Sequence, residues 1–337
     1  MQKLLYLCSG FVNSLPMKKI FLLCAIVGLL MACKDKNQPE EPQDPVVTTD
    51  PQPQPTSEDA MTAYLNNPVA WNGNFIEITH SMQLQPSVDF PSLSYTPQNG
   101  TWPIDVTVNY GDSAIGVDGL EHSGIMRIHA TGPLEAEGSV FTPTFDQFKV
   151  YGALLSGTQT ITNTGRNTDG NIVFDVTVAN GMLNANSEYI YSEHTSRELV
   201  AGLDDNGHFL TDPATHQYSI TGQMRMVSMV DTVPGYTVTI DTVPMLVSVG
   251  DIYPTGGEMH VALDEPMTFQ MNVSGFQGPV AIQYLNLIFT GKTDQGNYGV
   301  KMVVTMQMGF FAVDIAILCE LNEDGVVPDS IQYELIQ

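Results

Sequence analysis

An antiparallel all-β fold is what this sequence of 337 residues predicts, and three observations carry the prediction. Apolar residues recur at period two in short segments, Asn-Gly and Asp-Gly pairs separate many of those segments, and no amphipathic helical stretch of useful length stands out between them. In NIVFDVTVANG, Ile172, Phe174, Val176 and Val178 share one face, while Asn171, Val173, Asp175 and Thr177 share the other. That alternation describes a half-buried antiparallel strand. The architectures compatible with it are a sandwich, an open barrel or a long meander, as one large β unit or two stacked ones.

The chain begins differently. Lys18 and Lys19 precede an apolar run, IFLLCAIVGLL, from Ile20 to Leu30, which is followed by Leu30-Met31-Ala32-Cys33. A basic flank, a short apolar run and a small residue before a cut make a signal peptide over residues 1–32. As a helix the run rises only about 16 Å, roughly half of a bilayer core, so it does not span. Met17 followed by two lysines reads as the natural start, with 1–16 an over-extended beginning. The segment ending in Cys33 resembles the lipobox of bacterial lipoproteins, which implies that the thiol takes a diacylglyceryl group and the new amino terminus an acyl chain such as palmitate. Cys8 and Cys24 also follow a leucine but lack a small residue directly before them, so Cys33 is the expected attachment point. Several acyl chains, at about 0.8 kcal/mol per buried methylene, would anchor the protein to a bilayer without crossing it.

Residues 33–59 are expected to be the lipidated cysteine and a tether. The stretch KDKNQPEEPQDPVVTTDPQPQPTSED has six prolines, seven acidic residues and no aromatic residue, a composition that stays extended. At about 3.1 Å per residue it would reach roughly 80 Å. The β-region is expected over 60–337. There MTFQMNV and YGVKMVVTMQM alternate, with Met267, Phe269, Met271 and Val273, then Tyr298, Val300, Met302, Val304, Met306 and Met308 as the apolar faces. Turns are expected at Asn72-Gly73, Asn99-Gly100, Asp118-Gly119, Asp169-Gly170, Asn180-Gly181, Asn206-Gly207 and Asp324-Gly325. The least regular stretch is 192–217, the expected boundary if there are two units. DTVP at 231–234 recurs at 241–244, a spacing that suits two similar strand entries better than a solenoid repeat. Cys319 shares an apolar face with Val313, Ile315, Ile317 and Leu321 and reads as a buried thiol. With Cys33 acylated, no intramolecular disulfide remains.

Charge excludes some functions. The chain carries 12 Lys and Arg against 37 Asp and Glu, a net −25, and loss of Lys3, Lys18 and Lys19 with the leader makes it three units more negative. Such a surface repels phosphate backbones, so no nucleic acid partner is expected.

With the strands in place, the segment from Trp102 to about Asp264 shows a likeness. SGIMRIHATGPLEAEGSVFTPTFDQFKVYGALLSGTQTITNTGRNTDGNIVFDVTVANGML, followed by HTSREL, QYSITGQMR and YTVTI, resembles a family of uncharacterised all-β envelope lipoproteins of Bacteroidota-type bacteria. The likeness covers about half of the mature chain and consists of strand and turn residues. It implies an exported β-domain on the outer membrane and brings no catalytic residue. After Ser248 the family's Cys pair and CDN-like turn are missing, and VGDIYPTGGEMHVALDEPMTF stands there instead. Lys34-Asp35-Lys36, with Glu40 and Glu41, partly matches the signal by which such bacteria export lipoproteins to the cell surface, which favours that side over the periplasmic face.

Candidate chemistry is sparse. HExxH, GxSxG, CxxC and Walker motifs are all missing, and the seven histidines are scattered, with His129 on the polar face of its strand. A hydrolase acting on glycans through two carboxylates leaves no spacing in sequence, so it stands as the enzymatic alternative. Calcium is the candidate cofactor, through Asp204, Asp205 and Asp212 in a loop with Asn206 and Gly207. Trp71 and Trp102, beside polar turns, are the candidate sugar-stacking residues, although two tryptophans in such a domain are more often core. The reading favoured by the sequence is a membrane-anchored, non-catalytic β-domain that binds a glycan or an envelope protein or is structural. A calcium-dependent binding module is the further alternative.

Overall fold

The computed structural model describes residues 57–84, 91–98, 100–184, 188–229, 234–251, 253–273, 276–308, 311–322, 325–327 and 330–336. Cys33, the leader and the tether up to residue 56 lie outside these. No described helix is long and apolar enough to cross a membrane.

The fold is all-β in its main mass, and the sheet is an open meander. In chain order the strands are β1 (Ser92–Thr96), β2 (Ile104–Ile115), β3 (Glu121–Ala130), β4 (Val140–Val150), β5 (Ala153–Arg166), β6 (Ile172–Leu183), β7 (Tyr189–Ala201), β8 (Gln217–Ser228), β9 (Tyr236–Ser248), β10 (Gly257–Val273), β11 (Phe276–Lys292), β12 (Tyr298–Met308), β13 (Phe311–Asn322), β14 (Gly325–Val326) and β15 (Gln332–Ile336). Each from β1 to β13 pairs antiparallel with the next, and β15 returns to pair with β13. The stretch 192–217 does not interrupt the sheet: β7 runs through its first half, and β7 pairs with β8 from Tyr189↔Ser228 to Ala201↔Gln217.

The alternation read in the sequence is the alternation of burial. Ile172, Phe174, Val176 and Val178 are all buried, and Asn171, Val173, Asp175 and Thr177 are half-exposed. Tyr298, Val300, Met302, Val304 and Met306 line the interior of β12, and Cys319 is buried on β13. Asp118-Gly119 makes the turn between β2 and β3, with Gly119 at φ +79°, a conformation in which glycine has no Cβ penalty. Asn180-Gly181 is not a turn. It lies inside β6 as a bulge, with Asn180 at φ +52° and the register shifted between Val178 and Gly181.

One element departs from the expectation of strands from residue 60. Ser57–Ser81 is a helix of 25 residues, α1, and Asn72-Gly73 sits within it rather than in a hairpin. Of residues 67–81, only Val69, Asn72 and His80 are not buried. A helical stretch enclosed on nearly every side has no polar stripe and therefore no amphipathic signature. Side chains from β2 (Tyr110), β4 (Phe145), β5 (Gln159), β6 (Phe174), β7 (Arg197) and β8 (Tyr218) all touch it. The sheet therefore curls around α1, and helix and strands share one contiguous core. The C-terminal end of α1 is held by β1, where the Tyr95 hydroxyl donates to the carbonyls of Ser81, at 3.3 Å, and Leu84. Ser81 is the last residue of α1, and its carbonyl is one that a helix end leaves without an intrahelical partner.

Candidate functional site

Two buried polar clusters fasten α1 to the sheet. The first is at the turn of the β2–β3 hairpin. Tyr110 and His122 are on the inward faces of β2 and β3, and Asp118 folds back from the turn between them. The Tyr110 hydroxyl donates to Glu77 Oε2 at 2.5 Å, and the Asp118 backbone N–H donates to Glu77 Oε1 at 3.1 Å. His122 Nε2 lies 3.0 and 3.1 Å from the two Asp118 oxygens, and the Leu120 N–H donates to Asp118 Oδ1 at 2.9 Å. The imidazole is stacked on Phe148, with ring centres 5.4 Å apart, and tilted against Tyr110 at 4.9 Å. The side chains of His122 and Asp118 are 0% and 2% exposed. His122 Nδ1 is buried with no hydrogen-bond partner.

Two glycines make this approach possible. A Cβ on Gly73 would come within 2.3 Å of Asp118 Oδ2, and one on Gly116 within 2.3 Å of Glu77 Oε1. Asn72-Gly73 thus serves the helix: the glycine admits the carboxylate, and the asparagine meets Arg197.

Burial, and secondarily the charge of Asp118, pushes the Glu77 carboxyl from 4.5 up to about 7, against the opposing pull of His122 and its hydrogen bonds. Burial alone would lower His122, but the hydrogen bond and charge of Asp118, with Glu77, outweigh it and raise its pKa. Burial and Glu77 raise the Tyr110 phenol well above 10.

The second cluster lies on β7, whose inward face reads Tyr191, Glu193, Thr195, Arg197 and Leu199. Arg197 Nη2 pairs with Glu193 Oε1 at 2.7 Å, both side chains being at most 1% exposed. Its Nη1 donates to Asn72 Oδ1 at 2.8 Å, and the guanidinium lies 4.3 Å from the centre of the Phe75 ring. Tyr191 donates to Glu193 Oε2 at 2.8 Å, and the Thr195 hydroxyl donates to Glu193 Oε1. Beside it, Asn74 Nδ2 donates to Gln159 Oε1 at 2.6 Å. Both charges are paired and hydrogen-bonded, the condition for burying an ion pair.

The residues singled out from the sequence fall elsewhere. Trp71 is fully buried in α1, edge to face with Phe145, so its ring is core and not a sugar platform. Trp102 is 38% exposed at the entry to β2. Asp204, Asp205 and Asp212 are exposed and do not converge. Asp204 Oδ1 accepts from the N–H groups of Asn206 and His208, and Asp212 caps the short 3₁₀ turn Pro213–Thr215. These are turn-stabilising roles. His129 is exposed and meets Asp105 at 2.8 Å. Glu77, His122, Glu193 and Arg197 escaped the sequence reading. The only local trace is Asp118-Gly119-Leu120-Glu121-His122, an acid and a histidine four apart across a turn, and their third partner comes from a helix the pattern does not display.

A small pocket opens where α1 meets β8–β10. It has a volume of about 60 Å³, and Pro68, Val69, Met224, Met245, Tyr253 and Met259 are among its walls.

No family model, curated protein or solved structure matches the chain.

Proposed function

We propose that this chain is a lipid-anchored protein of the bacterial outer membrane, held through acylated Cys33 and carrying a non-catalytic β-domain that binds an envelope partner, glycan or protein, or is itself structural. One observation carries the non-catalytic part. The acids and the histidine that come together in the interior, Glu77, Asp118, His122 and Glu193, are each hydrogen-bonded or ion-paired to residues that hold α1 in place. A catalytic pair has to reach a substrate. The LMAC context, the basic flank and the likeness to Bacteroidota-type lipoproteins support the anchor and the compartment.

Of the two tryptophans, only Trp102 offers its ring to solvent. The reading expects Cys33→Ser to take up no labelled fatty acid and to leave the membrane fraction, and labelling that survives the substitution would refute the anchor. It also expects no turnover in a screen of chromogenic glycosides. Hydrolysis abolished by changing one Asp or Glu would establish the two-carboxylate alternative instead.

A further inference from the structure

We propose that Glu77, Asp118 and His122 form a binding site for one divalent transition-metal ion of the zinc class, which ties α1 to the β2–β3 hairpin. One donor atom from each residue lies within 4.8 Å of the others. Donors around a tetrahedral zinc, at about 2.0–2.1 Å from the ion, are about 3.3 Å apart. His122 Nε2 and the Asp118 oxygens are already at 3.0 and 3.1 Å, so at most Glu77 has to close, by about 1.5 Å.

Charge points the same way. Two carboxylates share a dry site, and among the described residues no Lys or Arg pairs with either. A doubly charged ion neutralises both and leaves the imidazole as a neutral ligand. The two carboxylates have outer partners that suit ligation, and the imidazole, whose Nδ1 has no hydrogen-bond partner, is held by ring contacts. Tyr110 holds Glu77 Oε2 and leaves Oε1 facing Asp118, the Leu120 N–H orients Asp118, and Phe148 with Tyr110 fixes the plane of the imidazole. Such partners fix the rotamers of metal ligands. An imidazole among only three donors selects a transition ion over calcium, which takes six to eight oxygens.

The site is buried, so the ion enters as the helix docks, and the test is a refolding experiment. The full chain is unfolded in urea and refolded with equimolar zinc, with calcium, or with a chelator, then washed with a weak chelator and passed over a sizing column. The expected result is close to one zinc per chain, a melting temperature that rises and saturates at one equivalent, and no rise with calcium. Cobalt(II) in place of zinc should give the visible d–d bands of a nitrogen–oxygen site. Glu77→Gln and His122→Gln should lose both the zinc and the bands. Zinc that does not stay with the wild-type chain, or that stays equally in both variants, overturns the proposal. If neither variant folds, the wild-type cobalt spectrum decides, and absence of the bands overturns it.

Discussion

The two halves of the sheet are built on different interiors. Every buried polar or charged residue among the described ones lies between Asn67 and His216, and from β8 onward the buried side chains are aliphatic, sulfur-containing or aromatic, with four tyrosines among them. The first half encloses α1 and holds it with directional contacts: Glu77 to Tyr110, Asn72 to Arg197, Asn74 to Gln159. Among the described residues, the second half fills its interior largely with Val, Ile, Leu and six buried methionines, Met224, Met226, Met245, Met259, Met302 and Met306. Apolar burial is non-directional, and methionine adapts to irregular gaps. Hydrogen-bonded interior groups instead admit one arrangement, because a shifted helix would leave donors and charges stranded. Geometry is specified in the first half and only filled in the second.

The comparison is broken most severely at Arg197. Arg197→Ala strands Glu193 in the interior and is expected to destabilise by about 3–5 kcal/mol in urea unfolding, while Glu193→Gln, which keeps hydrogen-bonding capacity, should cost less than the arginine truncation. A loss under 1 kcal/mol for Arg197→Ala would mean that the pair is not buried as described.

The next effect is on pH. Because Glu77 binds its proton more tightly folded than unfolded, its contribution is complete below about pH 4.5 and is lost as pH rises through about 7. His122, also raised, acts in the same direction from about 6.5 upward. In chelator-treated protein, stability should therefore fall between pH 4.5 and 8 by on the order of 3 kcal/mol. Glu77→Gln should flatten that fall, measured as unfolding free energy against pH. An equally steep fall in the variant would assign it to other groups.

Gly73→Ala follows. Alanine is the better helix former by about 1 kcal/mol, yet here its methyl group would be driven into the Asp118 carboxylate, so a net loss of about 1–3 kcal/mol is expected. A gain in melting temperature would show that the hairpin does not close on the helix. Smallest is Met302→Leu in the apolar half, a swap of similar volume expected to cost under about 1.5 kcal/mol, read from the same unfolding curves.

These effects also mark what was legible in the sequence. Strands with one buried face write a period of two, so β6 and β12 could be read directly. α1 could not, for three reasons seen in its residues: its stretch 67–81 is buried on nearly every side, it contains Pro68, and it carries Asn66-Asn67 and Asn72-Gly73, which are turn residues by local preference. Tertiary contacts, Arg197 to Asn72 and Asp118 beside Gly73, explain the second pair. The Glu77–Asp118–His122 cluster was hidden for the same reason, since one member belongs to that helix. Asp204, Asp205 and Asp212 show the converse. In that visible acidic loop, Asp204 and Asp212 accept backbone N–H groups of their own turns.

α1 is an interior element of the sheet, fixed by polar contacts. Hydrogen exchange tests it most directly. Amides from Trp71 to Thr79 should exchange as slowly as those of Val176 and Val178 in β6, and Arg197→Ala should accelerate the helix amides more than those of β12. Helix amides that exchange within seconds while the strands stay protected would contradict it.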